Sequence, residues 1–205
     1  MPEIDTPIAI LAGGSGRRMG SAKGTCKCML ELGGTPLLEH ILLRLKTQSP
    51  LLVLNTNDAP ELFSSYQLTI VPDLPPRDLG PLGGLWSVWK HFQSIGQTPE
   101  YLMSVAGDTP FLPQDLLATL AQSIKPEHDV LFCQSQDREH FINALWANSS
   151  FEQLDTFLHE GGRSVGQFIR SIRHEKKIFS TNNIDPFFNI NTPEQLTLAQ
   201  RQLES

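Results

Sequence analysis

The stretch LAGGSGRRMG, Leu11 to Gly20, governs how the rest of the chain is read. It follows the apolar run Ile8-Ala9-Ile10-Leu11. Lys23 and Lys27 stand just downstream, ahead of Leu30, Leu32 and the helix-like segment PLLEHILLRL. A buried strand that ends in a glycine-rich, cation-bearing loop suits a polyphosphate. Glycines let backbone N–H groups approach phosphate oxygens closely, and Arg17, Arg18, Lys23 and Lys27 neutralise their charge. A plain turn between strand and helix uses the same glycines, so the loop needs support from elsewhere in the chain. Two familiar phosphate motifs are excluded. A P-loop needs G-x-x-x-x-G-K-[ST], whereas Gly20 is followed by Ser21 and the order here is Lys23-Gly24-Thr25. The dinucleotide fingerprint G-x-G-x-x-G starts at Gly14 and Gly16, but Met19 stands where the third glycine belongs.

With 205 residues the chain fits one domain with a sizeable core. A net charge of −6 opposes a general nucleic-acid binder, although local positive charge around Arg17, Arg18, Lys23 and Lys27 still suits a nucleotide. Three cysteines, an odd number, make no disulfide framework, and Cys26-Lys27-Cys28 has no second pair for zinc. No apolar run approaches the ~20 residues of a membrane span, and Met1-Pro2-Glu3 does not begin a signal sequence. A cytoplasmic protein that binds neither membrane nor nucleic acid is expected.

Apolar runs alternate with helical patterns. Strands are expected at Ile8–Ala12, Leu51–Leu54, Leu68–Val71, Tyr101–Val105, Val130–Cys133 and Ile142–Trp146, with a polar edge strand at Glu175–Phe179. Helices are expected from Thr35-Pro36 through Leu45, around Pro60–Ser65, and at Leu82–Phe92, Pro113–Ser123, Phe151–Glu160 and Ser164–Ile172. A last one follows Thr192-Pro193-Glu194-Gln195, which has an N-cap Thr, Pro at the first helical position and Gln at the third. The βαβα order implies a largely parallel sheet covered by helices, a three-layer α/β sandwich in a single domain. Ligands of such sheets bind beyond the carboxyl ends of the strands, and Gly13, Asn55, Asp73 and Asp108 all fall on that edge.

Asp108 follows a strand that reads as fully buried, so its carboxylate is the leading candidate for a Mg²⁺ ligand. Mg²⁺ prefers one or two carboxylates together with substrate phosphates. Asp115 suits a helix start instead. Asp73, an acceptor-only side chain at a strand end, suits a ribose hydroxyl or a base N–H, or serves a turn. Asn189 and Asn191, two apart on an expected strand, share a face and would offer neutral oxygens to metal or phosphate, or close a turn before the Thr192 cap. The six histidines form no ligand-spaced pair, and no Ser/His/Asp set stands out.

The segments LAGGSGRRMG, a lysine before LELGGTPLLEH, then VPD, GPLGGL, GDTPFLP and NINTPEQL occur in this order from Ile10 to Leu196. Together they resemble the bacterial molybdenum cofactor guanylyltransferase family, one of the α/β nucleotidyltransferases with a Rossmann-like fold. The resemblance implies Mg²⁺-dependent transfer of GMP from GTP to the terminal phosphate of molybdenum-bound molybdopterin. It implies backbone contacts from Leu11, Ala12, Gly13 and Gly14 to GTP, with Lys23 or Lys27, Asn55, Asp73, Gly83 and Asp108 completing the nucleotide site. Arg18 and Lys27 would stabilise the leaving pyrophosphate, with Arg17 as alternate. Asp108, with Asn191, would hold Mg²⁺, and Asn189 and Asn191 would lie near the reacting phosphate or the pterin. The nucleotide-binding part would cover about residues 1–125 and the acceptor-binding part about 126–205, the latter around Arg138 and Gly161–Ser164. A monomer is expected, and hand-over to the molybdenum-inserting enzyme is implied by resemblance alone.

The chain departs from the family at two places. Extra residues follow the glycine loop, so Lys23 keeps one family spacing and Lys27 the other; the distance from Lys27 to Leu30-Glu31-Leu32 favours Lys27. Ala106-Gly107-Asp108 replaces the common Pro-Cys-Asp, which leaves the carboxylate in place. A cytidylyltransferase is the alternative within enzymes, opposed by GPLGGL. A non-catalytic GTP-binding regulator is the alternative outside them, opposed by the retained Arg18, Lys27 and Asp108.

Overall fold

β1 (Ile8–Leu11) is buried along its whole length, and a strand with no polar face has to be covered on both sides. The computed structural model, which describes residues 6–13, 26–181 and 184–203, places it inside a seven-stranded sheet. β2 (Glu31–Leu32) and β3 (Thr35–Pro36) form a small hairpin apart from that sheet. The other strands are β4 (Leu52–Asn55), β5 (Thr69–Val71), β6 (Tyr101–Ala106), β7 (Val130–Ser135), β8 (Arg138–Ala147) and β9 (His174–Phe179), in the order β5-β4-β1-β6-β8-β7-β9. The pairs β5-β4, β4-β1, β1-β6 and β7-β9 are parallel, as the alternation of strand and helix implies.

β8 runs antiparallel to both β6 and β7. Its start lies four residues before the expected Ile142, because the turn in QSQDREH shrinks to Gln136-Asp137, with Gln136 at φ 51°. A two-residue loop can only reverse the chain, since a parallel partner needs a crossover of a dozen or more residues.

The helices are α1 (Leu37–Leu45), α2 (Pro81–Ser94), α3 (Leu116–Ser123), α4 (Ser149–His159), α5 (Val165–Ser171) and α6 (Pro193–Leu203). α1 buries Leu37, Leu38, Ile41, Leu42 and Leu45, the stripe its 3.6-residue spacing lays out. Thr35-Pro36, expected to open this helix, pairs instead as β3. On one face of the sheet α1 and α3 pack over Ile8, Ile10, Val105, Leu131 and Leu145. On the other, α2, α4 and α5 pack over Ala9, Leu11, Leu102, Phe132 and Trp146. α6 joins the β2–β3 hairpin in a smaller cluster of Leu32, Leu37, Phe111, Ile190 and Ala199.

Leu11 pairs with Asn55 on one side and Ala106 on the other, and Asn55 pairs with Val71. The four parallel strands therefore end flush, and the loops that follow them open onto one edge. The opposite edge is clamped. Asp129, just ahead of β7 and 1% exposed, accepts from the Arg173 guanidinium (2.7 and 3.0 Å), the Arg173 backbone N–H (3.1 Å) and Ser149 Oγ (3.0 Å), tying the starts of β7, β9 and α4.

The Arg173 hydrogen bonds hold the Asp129 carboxyl down at about 2, below its ordinary 3.8. A depressed carboxyl stabilises the fold above its unfolded pKa and loses that contribution as pH falls through the folded one. Asp129→Asn should lower the melting temperature by roughly 4–8 °C at neutral pH. The gap from wild type should hold above about pH 5 and close between about pH 4 and pH 2, read by calorimetry across that range.

Candidate active site

Where β6 ends, the chain makes a tight turn. Thr109, fully buried, donates from both its N–H (3.3 Å) and its hydroxyl (2.7 Å) to the Ala106 carbonyl. Gly107 N–H donates to Leu11 O at 3.0 Å, and a Cβ on Gly107 would come within 3.0 Å of Ala12 Cα, so glycine is what lets the ends of β1 and β6 close up here. α1 and the turn that follows it steady the far side of the loop. Arg44 donates to Leu112 O (3.0 Å), while Gln48 donates to Pro113 O (3.0 Å) and accepts from Leu117 N (2.7 Å). Asp108 is thereby fixed at the edge, its side chain 17% exposed.

The Asp108 carboxylate gathers distant parts of the chain. Oδ2 is ion-paired to Lys27 Nζ, and Oδ1 accepts from Asn189 Nδ2 at 2.7 Å. Lys27 Nζ also donates to Asn191 Oδ1 at 2.6 Å, and Ile190 N–H donates to the Asp108 carbonyl at 3.0 Å. Lys27 opens a short 3₁₀ helix (Lys27–Met29) between two core cysteines, Cys26 and Cys28, 3% and 1% exposed. With the thiols turned inward, the lysine between them is turned toward Asp108. Cys28 shares a hydrogen bond with Cys26, and that bond and burial push its thiol up, so the neutral, unreactive form holds the lysine in place.

Asn189 and Asn191 were expected to share one face of a strand. The structure has no strand there; the segment is irregular, and both side chains still reach the same carboxylate–lysine pair. The α6 start holds Asn191, whose N–H donates to Gln195 Oε1 (2.7 Å), while Gln195 N–H donates to the Thr192 cap (3.3 Å).

A second group lies at the ends of β4 and β5. Asn55, 2% exposed, donates to Val71 O (3.0 Å) and Asp73 Oδ1 (2.9 Å), and Asp73 Oδ2 accepts from Asn57 (2.8 Å). Asn55 Oδ1 lies against the bare Cα of Gly84, where a Cβ would overlap it; a Cβ on Gly13 would stand 3.8 Å from the same oxygen. Gly83 sits in the first turn of α2 with its carbonyl accepting from Ser87 Oγ (2.7 Å), and that hydroxyl in turn accepts from Leu74 N–H (2.9 Å), fastening the loop after Asp73 to α2.

Sequence reasoning missed one cluster. Ser135 Oγ lies 2.6 Å from His140 Nε2 and donates to Asp185 Oδ1 at 2.7 Å. Since the serine proton goes to the carboxylate, His140 Nε2 carries the hydrogen toward Ser135. Burial holds the His140 pKa below its ordinary value, partly offset by Asp185. This is no nucleophilic triad: Ser135 is fully buried and the carboxylate bonds the serine. Its effect is on backbone. Asp185 Oδ1 accepts from Phe187 N–H (2.9 Å) and the His140 ring packs on Phe187 at 4.9 Å, which sets the approach of the chain to Asn189. Three residues separated by 5 and 50 positions leave no spacing in the sequence to find them by.

Gly14, Arg17, Arg18 and Lys23 lie outside the described residues. Among the described residues no three His, Cys, Asp or Glu side chains come together to hold a metal.

A mostly parallel sheet, flush strand ends and a carboxylate–lysine pair on the ligand edge define an α/β nucleotidyltransferase. The model of the MobA-like NTP transferase domain matches residues 8–177, and the chain belongs to that family. It is 37% identical over 202 residues to a molybdenum cofactor guanylyltransferase of Mesorhizobium japonicum, covering 96% of this chain and 95% of that one. A protein of the same name from Vibrio cholerae is 30% identical, covering 94% and 90%. The crystal structure of molybdopterin-guanine dinucleotide biosynthesis protein A from Archaeoglobus fulgidus superposes with a TM-score of 0.75 at 25% identity, over 97% of this chain and 99% of that one.

Gly84→Ala would drive a methyl group into Asn55 Oδ1. It should weaken nucleoside triphosphate binding by about 10-fold or more, whereas in an Asn55→Ala background the same change should cost under about 2-fold, the non-additivity expected of touching residues. Calorimetric titration of the four proteins checks it.

Proposed function

We propose that this protein transfers GMP from GTP to the terminal phosphate of molybdenum-bound molybdopterin, releasing pyrophosphate. The observation that carries the reading is the convergence of Lys27, Asp108, Asn189 and Asn191 beside the turn at the end of β6. It occurs in a chain whose relatives are named for guanylyl transfer in molybdenum cofactor synthesis.

The inventory suits attack by a phosphate. A phosphate monoester with a second pKa near ~6 is mostly dianionic at neutral pH and needs no protein base. Catalysis then rests on alignment and charge neutralisation. Lys27, with Arg18 from the glycine loop, would take the negative charge that builds on the leaving pyrophosphate. Asp108 and Asn191 fit a Mg²⁺ ion: their oxygens already share one cation, the Lys27 ammonium, which would turn to the phosphates when Mg²⁺ takes that place. Bound there, Mg²⁺ would supply charge neutralisation to the triphosphate. Asn55 and Asp73 would hold the nucleoside, and Leu11 to Gly14 the phosphates through the backbone. The first 125 residues or so would carry the nucleotide and the remainder the acceptor.

Thermal melts with GTP, CTP, UTP and ATP, each with and without Mg²⁺, test the assignment. Ligand at ~100 times its Kd adds about 2.7 kcal/mol, a rise of roughly 5–10 °C for a chain this size. GTP with Mg²⁺ should give the largest shift; a shift with CTP alone would move the protein to cytidylyl transfer. Asp108→Asn should keep its melting temperature within about 3 °C of wild type while pyrophosphate release falls by roughly 10³-fold, and near-wild-type turnover would remove the metal assignment.

A further inference from the structure

β8 leaves the ladder beside the candidate site. Phe132 of β7 pairs with Ala144, but the next residue, Cys133, pairs with His140, so Phe141, Ile142 and Asn143 bulge between them. On the other side the last β6–β8 pair is Ser104 with Ala144, which leaves the Ala106 N–H without a ladder partner. Asn143 supplies one: its Oδ1 accepts from Ala106 N at 3.1 Å, two residues before Asp108. Bulges of this kind re-aim side chains next to functional sites.

That bond settles the orientation of the Asn143 amide. Oδ1 faces Ala106, so the NH₂ is the other end. Asn143 is 2% exposed, and among the described residues its Nδ2 donates to nothing, yet it is not sealed in the interior. Alternation places it. Ala144 packs with the α2 face, while Leu145 packs with the α1 face, where Phe187 lies too. With Ile142, Ala144 and Trp146 all on the α2 face, Asn143 is on the α1 side, and its bond to Ala106 puts it two residues from the carboxylate that Asn189 and Lys27 reach. A rigid, enclosed amide with a free donor stands at the carboxyl edge of β6, on the side away from the Asn55–Asp73 group.

We infer that Asn143 is an acceptor-binding residue whose Nδ2–H donates to a phosphate oxygen of the acceptor substrate. The inference rests on the reading of the site as one that transfers a nucleotidyl group to a phosphate monoester. A neutral donor suits that place. Asp108 repels the incoming dianion, and an amide brings hydrogen-bonding capacity without disturbing the Lys27–Asp108 ion pair or the Lys27–Asn191 hydrogen bond.

Asn143→Asp separates the two ends of the side chain: it keeps an oxygen for Ala106 N–H and turns the free donor into an oxygen. With GTP, Mg²⁺ and molybdenum-molybdopterin, the variant should lose about 10-fold or more in kcat/KM for the acceptor while its Kd for GTP stays within about 2-fold. Equilibrium dialysis of molybdenum-molybdopterin against both proteins should show the same weakening without turnover. Should the aspartate lower the melting temperature by more than about 5 °C, both proteins are compared at least about 15 °C below the variant's midpoint, where it is folded. Acceptor binding and kcat/KM within 2-fold of wild type would overturn the inference, as would a loss equally large for GTP. Failure of the transfer reading looks different, since wild type itself would then release no pyrophosphate, while dialysis would still decide for or against Asn143.

Discussion

The Asp108 carboxylate holds the ligand edge together. Lys27 and Asn189 each lie 81 positions from it, and Asn191 reaches it through Lys27. No local preference brings these segments to one point. A partly exposed carboxylate with one oxygen on an ammonium and the other on an amide is satisfied through charge-assisted bonds. Each partner is itself anchored: Lys27 by the flanking core cysteines, Asn189 by the turn that Asp185 and His140 fasten, and Asn191 by the start of α6.

That carboxylate is where it is because the central strands end in register. Leu11, Asn55 and Ala106 stand side by side, so the turn after β6, Gly13 after β1 and the asparagine closing β4 face one space. Were one strand to slip by a residue, its inward side chains would move to the other face, which two fully covered faces forbid. The buried packing of Ile8, Ile10, Leu54 and Val105 on one side, and Ala9, Leu11 and Val53 on the other, thus sets the geometry of a polar site built beyond them. The far edge is closed by the Asp129–Arg173 pair, which leaves the carboxyl edge to carry the loops.

Much of this was legible in the chain. Four-residue apolar runs such as Ile8–Leu11, separated by stretches with helical spacing, imply parallel strands under helices, and the strand ends then pick out Gly13, Asn55, Asp73 and Asp108. Less was legible where short segments pair with distant ones. Thr35-Pro36 reads as a helix start because Pro is favoured there, but Glu31 and Leu32 supply strand partners. Asn189 and Asn191 read as strand neighbours from their spacing of two, whereas their common direction comes from Asp108 and Lys27. Nothing in the expected strand Ile142–Trp146 marks the β8 bulge apart from a polar residue, Asn143, inside it, because the bulge is set by pairing with β7 and β6.

The sequence by itself determined the class of fold, the edge at which the parallel strands end and the residue types gathered there. Periodicity and the chemistry of single residues are local properties and survive in a one-dimensional reading. Only the tertiary structure decided that Lys27 meets Asp108, that Gly84 makes room for Asn55, that Ser135, His140 and Asp185 form one cluster, and that β8 runs backwards with Asn143 at its bulge. These depend on which strand lies beside which and in what register, and that is settled by packing two complete hydrophobic faces at once.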